Sequence, residues 1–167
     1  MSTLACVTGR FQPVHHQHLE LFEIALREAD HLVVAVTNPD TGARHEESTS
    51  DHRHRDDANP FTYFQRVRML NAVLDARATV VPFDLTRPEL WPEYVPRHAT
   101  QIVRAYSDWE RRKAEMLGEG GYPVRLIDGN PDGRISASEI RSRIAGGGDW
   151  RALVPEAVAG LMAEFSP

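Results

Sequence analysis

The sequence has few of the features that mark secreted or membrane proteins. It contains a single cysteine, Cys6, so no disulfide can form within the chain, and a reducing compartment is the simpler environment for it. No apolar run is long enough to span a bilayer, and no signal-peptide pattern is present. We therefore expect a soluble, cytoplasmic protein with no membrane partner.

Basic residues are also scarce relative to acidic ones. The chain has 19 Lys and Arg against 24 Asp and Glu, which gives a net charge of −5 at pH 7. Because affinity for nucleic acid depends on clustered cations, this balance predicts no nucleic-acid partner, although a local cluster can still bind a small anion. A chain of 167 residues suits one domain and is short for two, so we expect residues 1–167 to form a single domain. Association into a homo-oligomer is left open.

Short apolar, β-rich runs alternate along the chain with segments of helical periodicity. The predicted strands are 4–8, 31–37, 79–83, 100–105 and 123–127. The predicted helices are 19–27, 63–74, 108–117, 138–144 and 150–165, with a helical turn at 93–98. The first strand, helix and strand form a βαβ unit, which implies a right-handed crossover and parallel pairing. We therefore predict an α/β fold, a Rossmann-like open parallel sheet with helices on both faces, and a long polar loop over residues 38–59.

Two short segments carry the residues that suggest chemistry. The first, Gly9 to His18, follows the first strand and leads into a helix, and the second, Ile135 to Arg141, leads into a helix near the end of the chain. Helix N-termini present unpaired N–H groups and the positive end of the helix dipole, so donor side chains placed there converge on an anion. Together the two segments predict a site for the phosphates of a nucleotide.

These segments occur together with a third set of residues, Asn59-Pro60-Phe61-Thr62, Arg66 and Leu90-Trp91. In order and spacing the whole pattern resembles the HxGH nucleotidyltransferases, and most of all the archaeal-type nicotinamide mononucleotide adenylyltransferases. The resemblance implies that an acceptor phosphate attacks the α-phosphorus of a nucleoside triphosphate and that pyrophosphate leaves. Catalysis of that step is mainly the positioning of two anions and the stabilisation of charge on the transferring group.

The resemblance also implies a role for individual residues. His15 and His18 would hydrogen-bond the triphosphate near the α-phosphate, with His18 in contact with the transition state. Arg10 would reach phosphate oxygens from the strand end, and Arg141 would supply a bidentate cation for the β- and γ-phosphates. The other expected nucleotide contacts are Gly9, Phe11, Gln12, Gln17, Ile135, Ser136 and Ser138, of which Ser138 is also a candidate helix cap. Mg²⁺ is expected with the triphosphate, held by its oxygens and by water, with no protein metal site.

The departures from the family pattern concern the substrate. Gln17 replaces the glycine of the HxGH motif, so either the helix start shifts or the side chain contacts the substrate. After the third strand, Arg87 stands where the adenylyltransferases have an asparagine-rich stretch, and arginine suits a compact anion better than a neutral carboxamide. We expect Arg87, Trp91 and Arg66 to bind the acceptor, although Trp91 is equally expected to pack a helix end. The family's Thr-Gly-Asn after the fourth strand is replaced by residues 104–108.

Three functions are compatible with these observations. The favoured one is transfer of a nucleoside monophosphate, from CTP in preference, to a small phosphonate or phosphate acceptor, because one group resembling these adenylyltransferases serves phosphonate pathways. The first alternative is the synthesis of NAD from ATP and nicotinamide mononucleotide. The second is a nucleotide sensor without catalytic activity, which the intact His15, His18, Ser138 and Arg141 disfavour.

Several other conspicuous residues have simpler interpretations. The histidines of the long loop, His45, His52 and His54, are interpreted as solvated rather than as metal ligands. Arg111, Arg112 and Lys113 are interpreted as an exposed helix face. Trp109 and Trp150 are interpreted as structural, and His16 is expected to point away from the site.

Overall fold

A computed structural model describes residues 2–45, 50 and 54–165. Over these residues the chain forms a parallel sheet whose strands are β1 (Leu4–Gly9), β2 (His31–Val36), β3 (Ala78–Pro82), β4 (Thr100–Ala105) and β5 (Val124–Asp128). The spatial order is β3-β2-β1-β4-β5, and every pair is parallel. From β1 the chain adds β2 and β3 on one side of the sheet, and it then returns to the other side of β1 to add β4 and β5. In open α/β sheets, ligands bind at the carboxyl ends of the strands where the order reverses, which is here between β1 and β4.

Helices cover both faces of the sheet. They are α1 (His16–Glu28), α2 (Tyr63–Asn71), α3 (Trp91–Tyr94), α4 (Asp108–Glu119), α5 (Ala137–Gly146) and α6 (Glu156–Phe165). Alternate residues of β1 point to opposite faces, so Val7 joins a core with Phe22 of α1 and Val158 of α6, while Cys6 joins a second core with Leu117 of α4. The predicted α/β fold with an open parallel sheet and helices on both faces is confirmed.

The strand boundaries differ from the predicted ones by no more than a residue at each end, but the start of the first helix differs by a full turn. The helix begins at His16 rather than at residue 19, because His15 takes the extended conformation of an N-cap. The long polar loop contains short 3-10 turns at Thr41–Ala43 and Asp56–Ala58. His52 lies outside the described residues. No helix in the described part of the chain has the length and apolar character needed to cross a membrane.

Arg66 of α2 is a structural residue. Its side chain is only 1% exposed, and the guanidinium donates to the carbonyl oxygens of Arg10 (3.0 Å), Thr37 (2.8 Å) and Asn38 (2.8 Å). Burial lowers the pKa of Arg66 to about 10. The guanidinium thus joins the ends of β1 and β2, and this use of its donors corrects the prediction that Arg66 binds the acceptor.

We predict that Arg66→Ala lowers the free energy of unfolding by about 3 kcal/mol or more, because each buried carbonyl left without a donor costs about 1–3 kcal/mol. Urea denaturation followed by circular dichroism measures this change. The matched control is Arg68→Ala on the same helix, whose side chain is 44% exposed and pairs with Glu164 at 3.6 Å. Surface pairs of this kind contribute at most about 1 kcal/mol. Equal losses in the two variants would contradict the structural role of Arg66.

Candidate active site

A cavity of about 640 Å³ lies at the carboxyl ends of β1 and β4. Its walls come from the end of β1, the start of α1, the end of β4, the facing side of α4 and the segment that leads into α5. The two segments singled out in the sequence are therefore brought together around one space. The predicted site residues that line it are Gly9, Arg10, Phe11, Gln12, His15, Gln17, His18, Ile135, Ser136 and Ser138.

The turn between β1 and α1 is fixed by close packing and by Gln12. Phe11 adopts a positive φ of 53°, and its ring packs so closely over Gly9 that a Cβ at position 9 would lie 3.1 Å from the ring. The buried amide of Gln12 pairs with both backbone groups of Phe61: Nε2 donates to the carbonyl (3.0 Å), and Oε1 accepts from the N–H (2.9 Å). The turn is thereby anchored to the segment before α2.

His15 and His18 are coupled at the start of α1. The backbone N–H of His15 donates to Nδ1 of His18 at 3.1 Å, so His18 fills the part of a capping box that glutamate or glutamine usually fills. The two rings stack with their centroids 3.7 Å apart. Because Nδ1 of His18 accepts a hydrogen bond, the proton of the neutral ring resides on Nε2. His18 can therefore donate from Nε2 without carrying a charge.

The surroundings hold both histidines in the neutral form. Burial, reinforced by Arg104 and Arg134, lowers the pKa of His15 from 6.5 to about 3. Burial, together with His15, Lys113 and arginines, lowers the pKa of His18 well below its ordinary value. At neutral pH both rings are uncharged hydrogen-bonding groups, and an anion bound beside them would favour their protonation.

Positive charge dominates the cavity. The cationic side chains among the described residues that line it are Arg10, Arg104, Lys113 and Arg134. Glu110 is the one carboxylate among the same residues. It accepts from the backbone N–H of Tyr106 (3.1 Å) and from the Ser107 hydroxyl, and it lies 3.4 Å from Arg134. Such a set of groups is suited to a polyanion.

The second segment is linked to the first through Arg141. Its Nη1 donates to the carbonyl of Gln12 (2.7 Å), and its Nη2 donates to the Ser138 hydroxyl (3.1 Å). The N-cap of α5 is Ser136, whose hydroxyl accepts from the N–H of Glu139 at 3.1 Å, so the expectation that Ser138 caps the helix is wrong. Ser138 stands in the first turn of α5 and lines the cavity. Burial lowers the pKa of Arg141.

The family follows from comparison with known proteins. A family model described as cytidylyltransferase-like matches residues 6–143 of this chain. The chain belongs to the cytidylyltransferase-like family. It is a nucleotidyltransferase, and the resemblance to the nucleotidyltransferase superfamily stated from its motifs is confirmed.

Two named relatives cover nearly the whole chain. A phosphonoformate cytidylyltransferase from Streptomyces viridochromogenes is 34% identical over 95% of this chain and 89% of its own length. A nicotinamide-nucleotide adenylyltransferase from Halobacterium salinarum is 32% identical over 94% of this chain and 84% of its own length.

Solved structures share the fold at low sequence identity. A bifunctional NMN adenylyltransferase/ADP ribose pyrophosphatase from Francisella tularensis aligns with a TM-score of 0.65 at 17% identity, over 92% of this chain and 45% of that one. A structure of that protein with AMP and a manganese ion aligns with a TM-score of 0.62 at 17% identity, over 92% of this chain and 44% of that one.

Lys113 of this cytidylyltransferase-like protein lines the cavity, although its sequence context predicted an exposed position. Its ammonium group is buried and donates to the carbonyl of Thr8 at 2.6 Å, so the assignment of Lys113 to an exposed face is wrong. A detectable signal was present, because Trp109, Lys113 and Leu117 recur at four-residue spacing on the buried face of α4. Trp109 lies on the same face and lines the cavity, so it is not only a packing residue.

Arg104 and Tyr106 belong to residues 104–108, which replace the family's Thr-Gly-Asn, and they line the cavity together with Arg134, which the sequence did not single out. Both guanidinium groups lie over the Tyr106 ring, at 5.6 Å for Arg104 and 4.9 Å for Arg134. Arg104 also donates to the backbone carbonyl of Gln17 at 2.6 Å. The positions of these three side chains depend on contacts between distant parts of the chain, and no local motif marks Arg134.

Two further residues predicted to bind the acceptor lie elsewhere. Trp91 is 3% exposed, stacks on Phe83 at 5.1 Å and donates from Nε1 to the carbonyl of Asp84 at 2.8 Å, so the packing alternative is the correct one. Arg87 is largely exposed and lies 3.5 Å from Glu89. Like Arg66, neither is among the described residues that line the cavity. Within the described part of the chain no cluster of three or more metal-ligating side chains is found.

The histidine environment predicts how stability changes with pH. Folding lowers the pKa of His15 from 6.5 to about 3, so the residue has little effect on stability well above pH 6.5. Below pH 6.5 the unfolded chain takes up a proton that the folded protein does not, and the free energy of unfolding falls until the pH reaches about 3. We expect His15→Gln to lose about 2 kcal/mol less of its free energy of unfolding than the unmodified protein between pH 7 and pH 5. Urea denaturation at both pH values measures the difference. His16→Gln, at the exposed neighbouring position, is the control, and parallel pH profiles for the protein and His15→Gln would refute the assignment.

Proposed function

We propose that this protein transfers a cytidylyl group from CTP to a small phosphonate or phosphate and releases pyrophosphate. The main observation in support is that two helix starts, four cationic side chains and two neutral histidines surround one cavity. This cavity lies between β1 and β4, where the strand order of the sheet reverses. Support for the base and the acceptor comes from the cytidylyltransferase relative, which is 34% identical over 95% of this chain.

The geometry supports an in-line displacement with no covalent enzyme intermediate. An oxygen of the acceptor attacks the α-phosphorus of the nucleotide, the bond to the bridging oxygen of the β-phosphate breaks, and pyrophosphate leaves with the electron pair. Nε2 of His18 donates a hydrogen bond to the α-phosphate as negative charge shifts across it, with His15 beside it. Arg10 and Lys113 stabilise the charge from the end of β1.

The leaving group is held at the start of α5. Ser136 and Ser138 line the cavity at the start of α5, where the N–H groups of the first helical turn are located. Arg141 is not among the described residues that line the cavity, but it is fixed to the first segment through Gln12 and to Ser138, which itself lines the cavity. In this proposal Arg141 binds the β- and γ-phosphates from that position.

A divalent cation, Mg²⁺ by preference, accompanies the triphosphate in this proposal. The Francisella structure with AMP and a manganese ion has the same fold, which supports the use of a divalent ion. Among the described residues that line the cavity, Glu110 is the single carboxylate, and it is already engaged by Tyr106, Ser107 and Arg134. The ion is therefore bound by phosphate oxygens and water, and it supplies charge neutralisation when present.

The acceptor is a small anion that shares the cavity with the nucleotide. Since Arg66, Arg87 and Trp91 lie outside the lining, we assign its recognition to the cations of the cavity, with Arg104 and Arg134 at the carboxyl end of β4 and before α5. Arginine pairs well with phosphonate, phosphate or carboxylate oxygens. NAD synthesis is the second candidate, on the basis of the 32% identical adenylyltransferase relative.

The first test measures pyrophosphate release with each of the four nucleoside triphosphates in the presence of Mg²⁺. The acceptors are a panel of small phosphonates, phosphate monoesters and nicotinamide mononucleotide. We expect the highest kcat/KM with CTP and a small phosphonate. Faster formation of NAD from ATP would favour the second candidate, and no turnover with any pair would overturn both enzymatic functions.

The second test concerns His18. We expect His18→Ala to lower kcat by a factor on the order of 10² or more, because a donor aimed at the transition state is lost. The matched control is His16→Ala, an exposed position two residues away in the same helix turn. A variant with a higher KM and an unchanged kcat would show that His18 contributes to binding alone.

A further inference from the structure

Gln17 connects the two phosphate-binding segments through its side-chain amide. Nε2 donates to the carbonyl of Gly133 at 2.7 Å, and Oε1 accepts from the N–H of Ile135 at 2.7 Å. The partners are 116 and 118 residues away in the sequence. The side chain thus pairs with a donor and an acceptor of the backbone at once, which fixes the segment in both position and orientation.

A third contact fixes the orientation of the amide itself. The Tyr106 hydroxyl donates to Oε1 of Gln17 at 3.4 Å. The Tyr106 ring is held in turn against Gly129, where an added Cβ would approach the ring to 2.5 Å, and by the guanidinium groups of Arg104 and Arg134. With two donors directed at Oε1 and an acceptor at Nε2, the amide oxygen and nitrogen are not interchangeable.

The segment held by Gln17 needs such a connection because it lies outside the sheet. Residues 129–136 follow β5, the edge strand, and lead directly to the Ser136 cap and to Ser138. Two polar links join this region to the first segment: Gln17 to Gly133 and Ile135, and Arg141 to the carbonyl of Gln12. Gln17 holds the entrance of α5, and Arg141 holds its second turn.

We propose that Gln17 is a positioning residue that sets the distance between the histidines at the α-phosphate and the hydroxyls that bind the distal phosphates. This inference rests on the proposed nucleotidyl transfer. Three of the hydrogen-bonding positions of the amide are used within the protein, which leaves it little capacity to recognise a base. Its effect is to order the second segment in advance, so that the nucleotide does not have to do so on binding.

The test compares two variants that separate hydrogen bonding from bulk. Gln17→Met keeps the length of the side chain and removes the hydrogen bonds, whereas Gln17→Gly removes both. Because two short hydrogen bonds are lost, we expect both variants to raise the KM for the nucleoside triphosphate by about tenfold or more, with kcat at saturation within about threefold of the unmodified enzyme. Glu23→Gln, at an exposed position on α1, is the control.

Two further measurements keep the inference testable without turnover. Hydrogen exchange should show faster exchange of the Ile135 amide in both Gln17 variants, while the amides of β1 stay protected and demonstrate that the variants are folded. Calorimetry gives the dissociation constant of the triphosphate, which should rise in parallel with the KM. Absence of turnover in the unmodified protein would refute the proposed function, and these two measurements would still report on Gln17.

Three results would overturn the positioning role. One is a lower kcat with an unchanged KM, which would place Gln17 in the chemical step. Another is an unchanged KM in Gln17→Met together with a raised KM in Gln17→Gly, which would show that nucleotide binding depends on the size of the side chain and not on its hydrogen bonds. The third is unchanged exchange of the Ile135 amide in both variants.

Discussion

The site depends on the divergence of the chain on either side of β1. Because β2 and β3 extend the sheet in one direction and β4 and β5 in the other, the connections that leave β1 and β4 run to opposite faces and leave a crevice between them. The start of α1 enters this crevice from one side. The segment that leads into α5 comes after the edge strand β5 and meets the start of α1 at this crevice. The groups that surround the crevice therefore come from residues more than a hundred positions apart in the sequence.

Burial and the surrounding cations both lower the pKa values of the two histidines in this crevice, and this shared effect defines its chemistry. Burial is the main cause that keeps both histidine rings uncharged, and the nearby cations add to it, which preserves the rings as donors and avoids repulsion among the positive groups. A polyanion satisfies the same cations and relieves the same repulsion. The pocket is thus complementary to a substrate of high negative charge, although the protein as a whole is acidic.

Local sequence patterns were sufficient to predict the sheet and to single out the two segments that meet at the cavity. A short apolar run rich in β-branched residues, such as residues 31–37, favours a buried strand, and donor side chains at helix starts have a chemical meaning independent of the rest of the fold. The side chains that were misassigned are those whose role depends on distant partners. Arg66 and Trp91 turned inward onto backbone carbonyls, and Lys113 reached the end of β1 from α4. Charge and aromatic character alone do not distinguish such residues from substrate contacts.

The close contact between Tyr106 and Gly129 constrains how this enzyme can diverge. A Cβ at position 129 would lie 2.5 Å from the Tyr106 ring, so no other residue is compatible with the tyrosine in its present place. A smaller residue at 106 would relax that restriction, but it would also free the two arginines that lie over the ring. Replacement of Gly129 therefore requires a change at position 106 first, and that change also alters the surroundings of Arg104 and Arg134.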